Sequence, residues 1–484
     1  MENRTMLTDL YQLTMMQGYL VNDCMNKEAV FDVYFRSLPF KGGYALAAGL
    51  EQVVEYIENL TFGQEDLAYL KSLNLFSEEF IEELSNFRFT GDIDAVPEGT
   101  PVFPYEPLIR VKGRIFETQL LETTILNLVN FETLIATKAS RVVTAADGGS
   151  VMEFGLRRAQ GPDAGILGAR AAFIGGCQST SNVLAGMRYG VPVSGTQAHS
   201  WIQCFPTELE AFRAYARTFP DRCLLLVDTY NVLESGVPNA IKVGLELEAE
   251  GHHFLGIRLD SGDLTYLSRV ARRMLDEAGL KDAIIVASND LDEETIFAIR
   301  AQGAAINSWG VGTHLITSKD NPSLGGVYKL AAEGERGVFH PRLKVSENIA
   351  KITNPGIKKV VRFYDRAGKA MADLIALEDE VFEGKDSLTI FDPIQTWKRK
   401  TLTNFHTREL LTPVFRSGKR VYDLPNLAEI QTYAQKELDT FWDEVKRLTN
   451  PHRYIVDLST NLFELKQQLL LTINNDIKAK QGVE

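Results

Sequence analysis

The chain is poor in the features that mark several common protein classes. Its 484 residues hold four cysteines, Cys24, Cys177, Cys204 and Cys223, and no two form a Cys-x-x-Cys pair. That usage supplies neither a zinc site nor a disulfide framework, and it fits a reducing cytosol. No apolar run approaches the roughly 20 residues that span a bilayer. Acidic and polar residues occupy the N-terminus where a signal peptide would be apolar, so a soluble, cytoplasmic protein with no membrane partner is expected. Excess positive charge is missing too: the formal net charge is -13. A phosphate backbone would be repelled, which argues against a general nucleic-acid binder. No Gly-x-x-x-x-Gly-Lys-Ser/Thr occurs, so any ATP is held without a P-loop. There is no internal repeat and no low-complexity segment.

What is present points to α/β architecture. A chain of this length is expected to form two or three domains. Residues Met1 to about Asn22 read as an amphipathic helix with Leu7, Leu10, Tyr11, Thr14 and Gly18 on one mostly apolar stripe. Ala29 to Arg36 reads as a strand, Glu51 to Leu60 and Ser77 to Phe87 as helices, and Gly91 to Glu117 as short antiparallel strands. These make residues 1–125 an α+β domain. From about Leu126 helices and strands alternate, with buried strands expected at Val151–Gly155, Val191–Gly195, Leu224–Asp228, Phe254–Asp260, Ala283–Ser288 and Ala304–Gly310. Helical stretches such as Leu264–Ala278 and Glu293–Gln302 separate them. Serial βα units suggest a barrel or a doubly wound sheet, and polar endings on nearly every strand favour the barrel over residues 126–335. Residues 336–484 read as strands and turns, including Asn354-Pro355-Gly356, followed by helices at Leu424–Thr449 and Leu458–Ile473.

Chemistry concentrates at the strand ends, which in such folds share one face. Gly195-Thr196-Gln197-Ala198-His199-Ser200 offers an imidazole suited to acid–base work or phosphoryl transfer. Gly256-Ile257-Arg258-Leu259-Asp260-Ser261-Gly262-Asp263 alternates, so Arg258 and Asp260 share a face. The arginine can fork onto a carboxylate, and the aspartate can hold Mg²⁺ on a diphosphate; an internal ion pair is the plainer alternative. Asp228 is a second Mg²⁺ candidate and equally a helix cap. Gly310-Val311-Gly312-Thr313 presents backbone N–H groups to a phosphate. Ser288-Asn289-Asp290 can touch ribose or cap a helix. In Glu153-Phe154-Gly155-Leu156-Arg157-Arg158 only one of the two arginines is expected to face the site. Tyr11 and Phe35 offer ring faces, although most such aromatics are core.

Together these segments resemble the nicotinate phosphoribosyltransferase family. The match runs through Thr8-Asp9-Leu10-Tyr11-Gln12-Leu13-Thr14-Met15, Phe35-Arg36-x-x-Pro39, Gly49-Leu50 and Asp228-Thr229-Tyr230. It continues through Gly325-x-Val327-Tyr328-Lys329-Leu330, Asn354-Pro355-Gly356-x-Lys358 and the strand ends above. The resemblance implies a type II phosphoribosyltransferase fold: an irregular α/β barrel with an α+β N-terminal domain and a C-terminal α+β extension. It implies nicotinate, 5-phosphoribosyl 1-diphosphate and ATP as substrates, Mg²⁺ as cofactor, and a homodimer with shared sites. It makes His199 the phosphorylated residue and a catalytic residue with Asp260. Tyr11, Thr196, Arg157 and Arg258 would surround nicotinate, with Phe35 and Asn289 as further substrate contacts. Gly312 and Thr313 would bind the phosphoribosyl group, and Asp228 and Asp260 the metal-bound diphosphate. An amide-specific enzyme, a non-catalytic nucleotide-binding protein and an aldolase-like barrel are the competing readings.

Overall fold

A computed structural model describes residues 3–481, with side chains to residue 475. The first two residues of the expected N-terminal helix thus lie outside the described residues. The chain forms two compact units, one of residues 1–134, 323–426 and 432–484, the other of residues 135–322 and 427–431.

The first unit is built on a seven-stranded sheet. Glu28–Phe35 runs antiparallel between Gly326–Glu335 and Ile109–Arg114. Seven of its eight residues are buried, so both faces are covered and its sequence is nearly continuously apolar. Asp32, the exception, pairs with Lys358 at 2.7 Å, both almost wholly buried. A second sheet pairs Lys358–Tyr364 with Ala370–Leu377 and adds Val456–Leu458 in parallel. The expected division into 1–125, 126–335 and 336–484 therefore differs from the fold. Gly326–Glu335, within the segment expected to form the barrel, belongs to the first unit's sheet, and the first and last segments combine. The long helix expected over Leu424–Thr449 is two, Leu427–Asp439 and Asp443–Lys446.

The N-terminal helix spans Leu10–Val21 and buries Gln12, Leu13 and Met16. The expected apolar stripe is on the outer side: Leu7, Leu10, Tyr11 and Thr14 are exposed, as is Met15 beside them. Polar pairing sets this rotation. Gln12 Nε2 donates to Glu122 Oε2 at 3.1 Å, and Gln119 donates to Gln12 Oε1, satisfying an amide that burial would otherwise penalise.

The second unit carries a six-stranded parallel sheet. Its order is Ser179–Thr180, Ser150–Glu153, Ser308–Val311, Ile284–Asn289, Gly256–Leu259 and Leu224–Leu226. The helix Leu264–Glu277 buries Leu264, Ser268, Ala271 and Leu275, a helical period facing inward. Val191–Gly195 is not a strand; it contributes a single bridge, Val193 to Thr180. Pro192 lacks a ladder donor, which explains the shortfall. Further along, Gln197 Nε2 donates to the Leu224 carbonyl at 3.1 Å. A side chain thus spans the gap that a ladder would close, and the barrel is irregular there.

One buried cluster in the first unit gives a pH prediction. Arg362 and Asp373 form an ion pair at 2.6 Å with no exposure on either side chain. Tyr454 donates its hydroxyl to Asp373 at 2.9 Å. Glu106 faces Asp373; its Oε2 accepts the Phe103 N–H at 2.8 Å and its Oε1 has no hydrogen-bond partner. Burial, then the facing Asp373 carboxylate, push the Glu106 carboxyl well above the usual range, while Arg362 pulls it down. This direction favours the protonated form of Glu106 in the fold. A raised acid stabilises the fold fully below its unfolded value of about 4.3, and that share is lost as pH climbs to the folded value, by up to about 1.4 kcal/mol per unit. Glu106→Gln should flatten the decline in Tm as pH rises above about 5. Thermal melts of both proteins across that range check it; parallel curves would mean that Glu106 is ionised.

Candidate active site

All six strands of the second unit run the same way, so their carboxyl ends form one rim, and most of the candidate residues stand on it. Two neighbouring ends are latched together. Asp228 Oδ2 accepts the Asp260 backbone N–H at 3.1 Å and the Ser261 hydroxyl at 2.6 Å. Asp260 is held in turn by the Ser288 hydroxyl from the next strand, which donates to its Oδ1. Asp228 Oδ1 is buried with no hydrogen-bond partner.

Beyond Asp228 the chain enters a π-helical turn, Val232–Gly236, capped by the Asn231 side chain. Such turns recur at functional sites. Gly236 is required there: a Cβ would sit 1.9 Å from the Val227 carbonyl.

Arg258 leaves the Gly256–Leu259 strand and donates Nη1 to the Thr196 hydroxyl at 2.9 Å. Its Nε is buried with no partner. Burial lowers the guanidinium's affinity for its proton; Asp260 and Asp228 oppose this, and the positive charge of Arg157 adds to it. Two cations therefore approach one another while a buried donor points at nothing. An arginine stays charged in proteins, so this arrangement suits an anion.

His199 begins the short helix His199–Gln203. Its Nδ1 lies 3.1 Å from Thr229 Oγ1. Its Nε2 lies 3.8 Å from Asp260 Oδ2, and the ring is 42% exposed. Thr196, Arg258, Asp260, Asp228 and His199 thus form one connected group.

Asn289 ends its strand exposed and with φ at +142°, a left-handed conformation for a non-glycine residue. Its Oδ1 accepts the Asp290 N–H at 2.8 Å. Backbone strain of this kind collects at functional sites. Gly312 and Thr313 open a four-residue helix after Ser308–Val311. Arg157 and Arg158 lie in a 3₁₀ turn, Leu156–Arg158, and both are exposed. They are not on a strand, so nothing in strand alternation turns one of them away from the site.

Two candidates belong to the first unit. Tyr11 is 47% exposed on the outer side of its helix. Burial, then Glu122 and Asp9, push its phenol up to about 12. Phe35 ends the Glu28–Phe35 strand with no exposure at all. It is a core residue, and its expected role as an open ring face is corrected.

Sequence reasoning missed Glu153, which is 1% exposed. It accepts the Gly155 N–H and, at 2.6 Å, the Thr180 hydroxyl. Burial raises its carboxyl and these bonds lower it. A glutamate closing an apolar strand before a glycine was the available signal. Thr229 and Ser288 were also missed as partners of His199 and Asp260; only distances reveal them.

Three family models match the chain: the nicotinate phosphoribosyltransferase N-terminal domain over residues 6–130, the nicotinate phosphoribosyltransferase family over 150–332, and its C-terminal domain over 357–466. The nicotinate phosphoribosyltransferase of Bacillus subtilis is 46% identical over 472 residues, covering 97% of this chain and 96% of that one. The human protein of that name is 35% identical, covering 96% of each. A crystal structure of human nicotinic acid phosphoribosyltransferase superposes with a TM-score of 0.85 at 33% identity, over 96% of this chain and 99% of that one. A Pyrococcus furiosus nicotinate-nucleotide pyrophosphorylase, 22% identical with a TM-score of 0.68, shares the fold. The type II phosphoribosyltransferase α/β fold expected from sequence is the fold observed.

The turn at Gly155 gives a direct test of the rim. A Cβ there would lie 2.5 Å from the Ile316 side chain and 2.8 Å from Glu153 Oε1. Gly155→Ala should cost roughly 1–3 kcal/mol through overpacking, lowering Tm and weakening substrate binding together. Calorimetric melts and titrations check it; an unchanged Tm would mean that the turn yields freely.

Proposed function

The chain belongs to the nicotinate phosphoribosyltransferase family and is an enzyme of that class. From this premise we propose that it joins nicotinate to 5-phosphoribosyl 1-diphosphate, giving nicotinate mononucleotide and diphosphate for NAD biosynthesis. We propose further that ATP hydrolysis is coupled to this transfer through phosphorylated His199. One observation carries the choice of an acid as substrate: Arg258 has a buried, unpartnered Nε with Arg157 nearby. The nicotinate carboxylate is an anion of the right shape for a guanidinium fork.

The pyridine nitrogen of nicotinate attacks C1 of the ribose as the bond from C1 to the diphosphate oxygen breaks. The site must stabilise departing negative charge and a cationic ribosyl centre, and no protein nucleophile is needed. Asp260 and Asn289 flank the ribose, and Gly312 with Thr313 supplies backbone N–H groups for its phosphate. The donor set suits Mg²⁺. Asp228 Oδ1 lacks a partner, and Mg²⁺ characteristically takes one or two carboxylates plus substrate phosphates. When bound, the ion neutralises diphosphate charge. The four cysteines are free, in keeping with a cytoplasmic enzyme. Among the described residues no helix is long and apolar enough to cross a membrane.

The helix Leu10–Val21 presents Leu10, Tyr11 and Met15 outward, with Leu7 exposed just before it. We propose that this face meets a second copy in a twofold dimer and brings Tyr11 onto the nicotinate bound by the partner. The phenol stays neutral at any physiological pH, as a stacking ring requires.

Arg258→Ala should raise KM for nicotinate by the equivalent of about 1.5–3 kcal/mol and change use of nicotinamide much less. Steady-state assays with both pyridines check it. Equal losses would make Arg258 a phosphate ligand or a structural residue.

A mixing experiment tests the shared site. Tyr11→Ala and His199→Ala homodimers should each lack ATP-coupled transfer. After subunit exchange, one site of each heterodimer holds both intact residues and coupled activity should partly return. Proven exchange without recovery would place Tyr11 in its own subunit's site.

A further inference from the structure

We propose that His314 is a positioning residue for the phosphoribosyl group: its bond to Asp292 fixes the turn at Gly312 and Thr313 against Asn289, and so sets the affinity for 5-phosphoribosyl 1-diphosphate. This rests on the reading of Asn289, Gly312 and Thr313 as contacts of that group and adds what holds them at a fixed separation.

The ladder between Ile284–Asn289 and Ser308–Val311 has its last paired residues at Asn289 and Val311. These three contacts therefore lie at or past the point where sheet hydrogen bonds fix the backbone. Past it, a side-chain contact rejoins the two chains. His314 Nδ1 lies 3.2 Å from Asp292 Oδ2, and the two side chains are only 17% and 14% exposed. A carboxylate can only accept, so Nδ1 carries the proton of this bond. Partial burial strengthens such a pair relative to one on the open surface.

The two ends are unequally held. Asp292 caps the helix Glu293–Ala301, its Oδ1 accepting the Thr295 N–H at 2.9 Å. The next residue, Glu293, is buried and pairs with Lys138 at 2.6 Å and Arg141 at 2.9 Å. Burial works against the charge of Asp292, but its bonds to Thr295, with His314 and Lys138 nearby, hold the carboxyl below its usual range. Asp292 is thus a fixed, ionised point. On the other side, Leu315 and Ile316 are wholly buried and pin the far end of the turn. Gly312, Thr313 and His314 are only half-buried, and this near end takes its position from His314. Lys319 does not substitute for it. Its Nζ is 3.7 Å from the same oxygen and its side chain is 44% exposed, a mobile point charge on a flexible stem.

A ribose and its 5-phosphate are covalently joined, so the protein groups that grip them must be held at one matching separation. With the separation set before the ligand arrives, binding energy is not consumed in ordering the turn. Loss of the His314 bond therefore weakens every ligand that carries a phosphoribosyl group and spares the free pyridine. The contact serves ground state and transition state alike, so it acts on KM rather than kcat.

The test compares the full-length enzyme with His314→Ala, His314→Asn and Gly312→Ala. A Cβ at Gly312 would sit 3.1 Å from the Phe154 carbonyl oxygen, so the last variant displaces the turn directly. His314→Ala should raise KM for 5-phosphoribosyl 1-diphosphate about tenfold, the scale of one hydrogen bond to an ionised group. Its kcat and its KM for nicotinate should stay within about twofold of wild type. Calorimetric titration with nicotinate mononucleotide should show a loss of affinity similar to that for the diphosphate substrate. The amide nitrogen of asparagine can occupy the place of Nδ1, so His314→Asn should recover most of the affinity. An unchanged KM in His314→Ala, with a raised one in Gly312→Ala, overturns the positioning role and leaves the reading of the turn standing. Equal losses for nicotinate, a fall in kcat, or no recovery by asparagine also overturns it, since general loss of packing then explains the effect. If neither His314→Ala nor Gly312→Ala moves KM for 5-phosphoribosyl 1-diphosphate, the reading of the turn as a phosphate site falls with the proposal.

Discussion

The rim of the second unit depends on one carboxylate. Asp228 accepts two donors from the turn that follows the neighbouring strand, Asp260 N–H and Ser261 Oγ. This ties two strand ends at the point where the ladder has stopped. Asp260 is passed on to Ser288 and faces His199, while Asp228 leads directly into Thr229. The phosphoryl-carrier candidate and the candidate ligands for a diphosphate are therefore set by one latch. Hydrogen bonds to an ionised group are among the stronger ones available to a protein, and here they are made by Asp260 and Ser261 at the strand end itself.

Charge follows the same economy. The chain as a whole repels anions, with a formal net charge of -13, yet its proposed substrates are a carboxylate, a diphosphate ester and ATP. The answer is local. Arg258 is desolvated beside two carboxylates and within the field of Arg157, and its Nε is left for a ligand. Burial makes each such interaction stronger than it would be on the surface. The acidic partners keep the guanidinium from standing unpaired when no substrate is bound.

Much of this was legible in the sequence, for identifiable reasons. Strands such as Leu224–Leu226 and Gly256–Leu259 are short apolar runs ending in a charged or glycine residue, and that local signal survives folding. Asp228, Arg258 and Asp260 could be placed on one rim because parallel strands carry their ends to one side; His199 follows Val191–Gly195, expected as a strand, which makes only a single bridge. Other features depend on distant partners. Gly326–Glu335 pairs with Glu28–Phe35, a contact that no local pattern encodes. The N-terminal helix turned its apolar stripe outward because Gln12 found Gln119 and Glu122. Phe35 looked available and is wholly buried. Thr229, Ser288 and Glu153 are polar residues of ordinary appearance whose importance lies in what they touch.

The central claim is that the rim hosts both glycosyl transfer and a phosphoryl relay from ATP. The most direct measurement is the ratio of ADP released to nicotinate mononucleotide formed, taken on the purified wild-type enzyme at saturating nicotinate, 5-phosphoribosyl 1-diphosphate and ATP. The account expects the two products to appear together in a fixed, near-equal ratio. Nicotinate mononucleotide forming at its full rate with no ADP would contradict it.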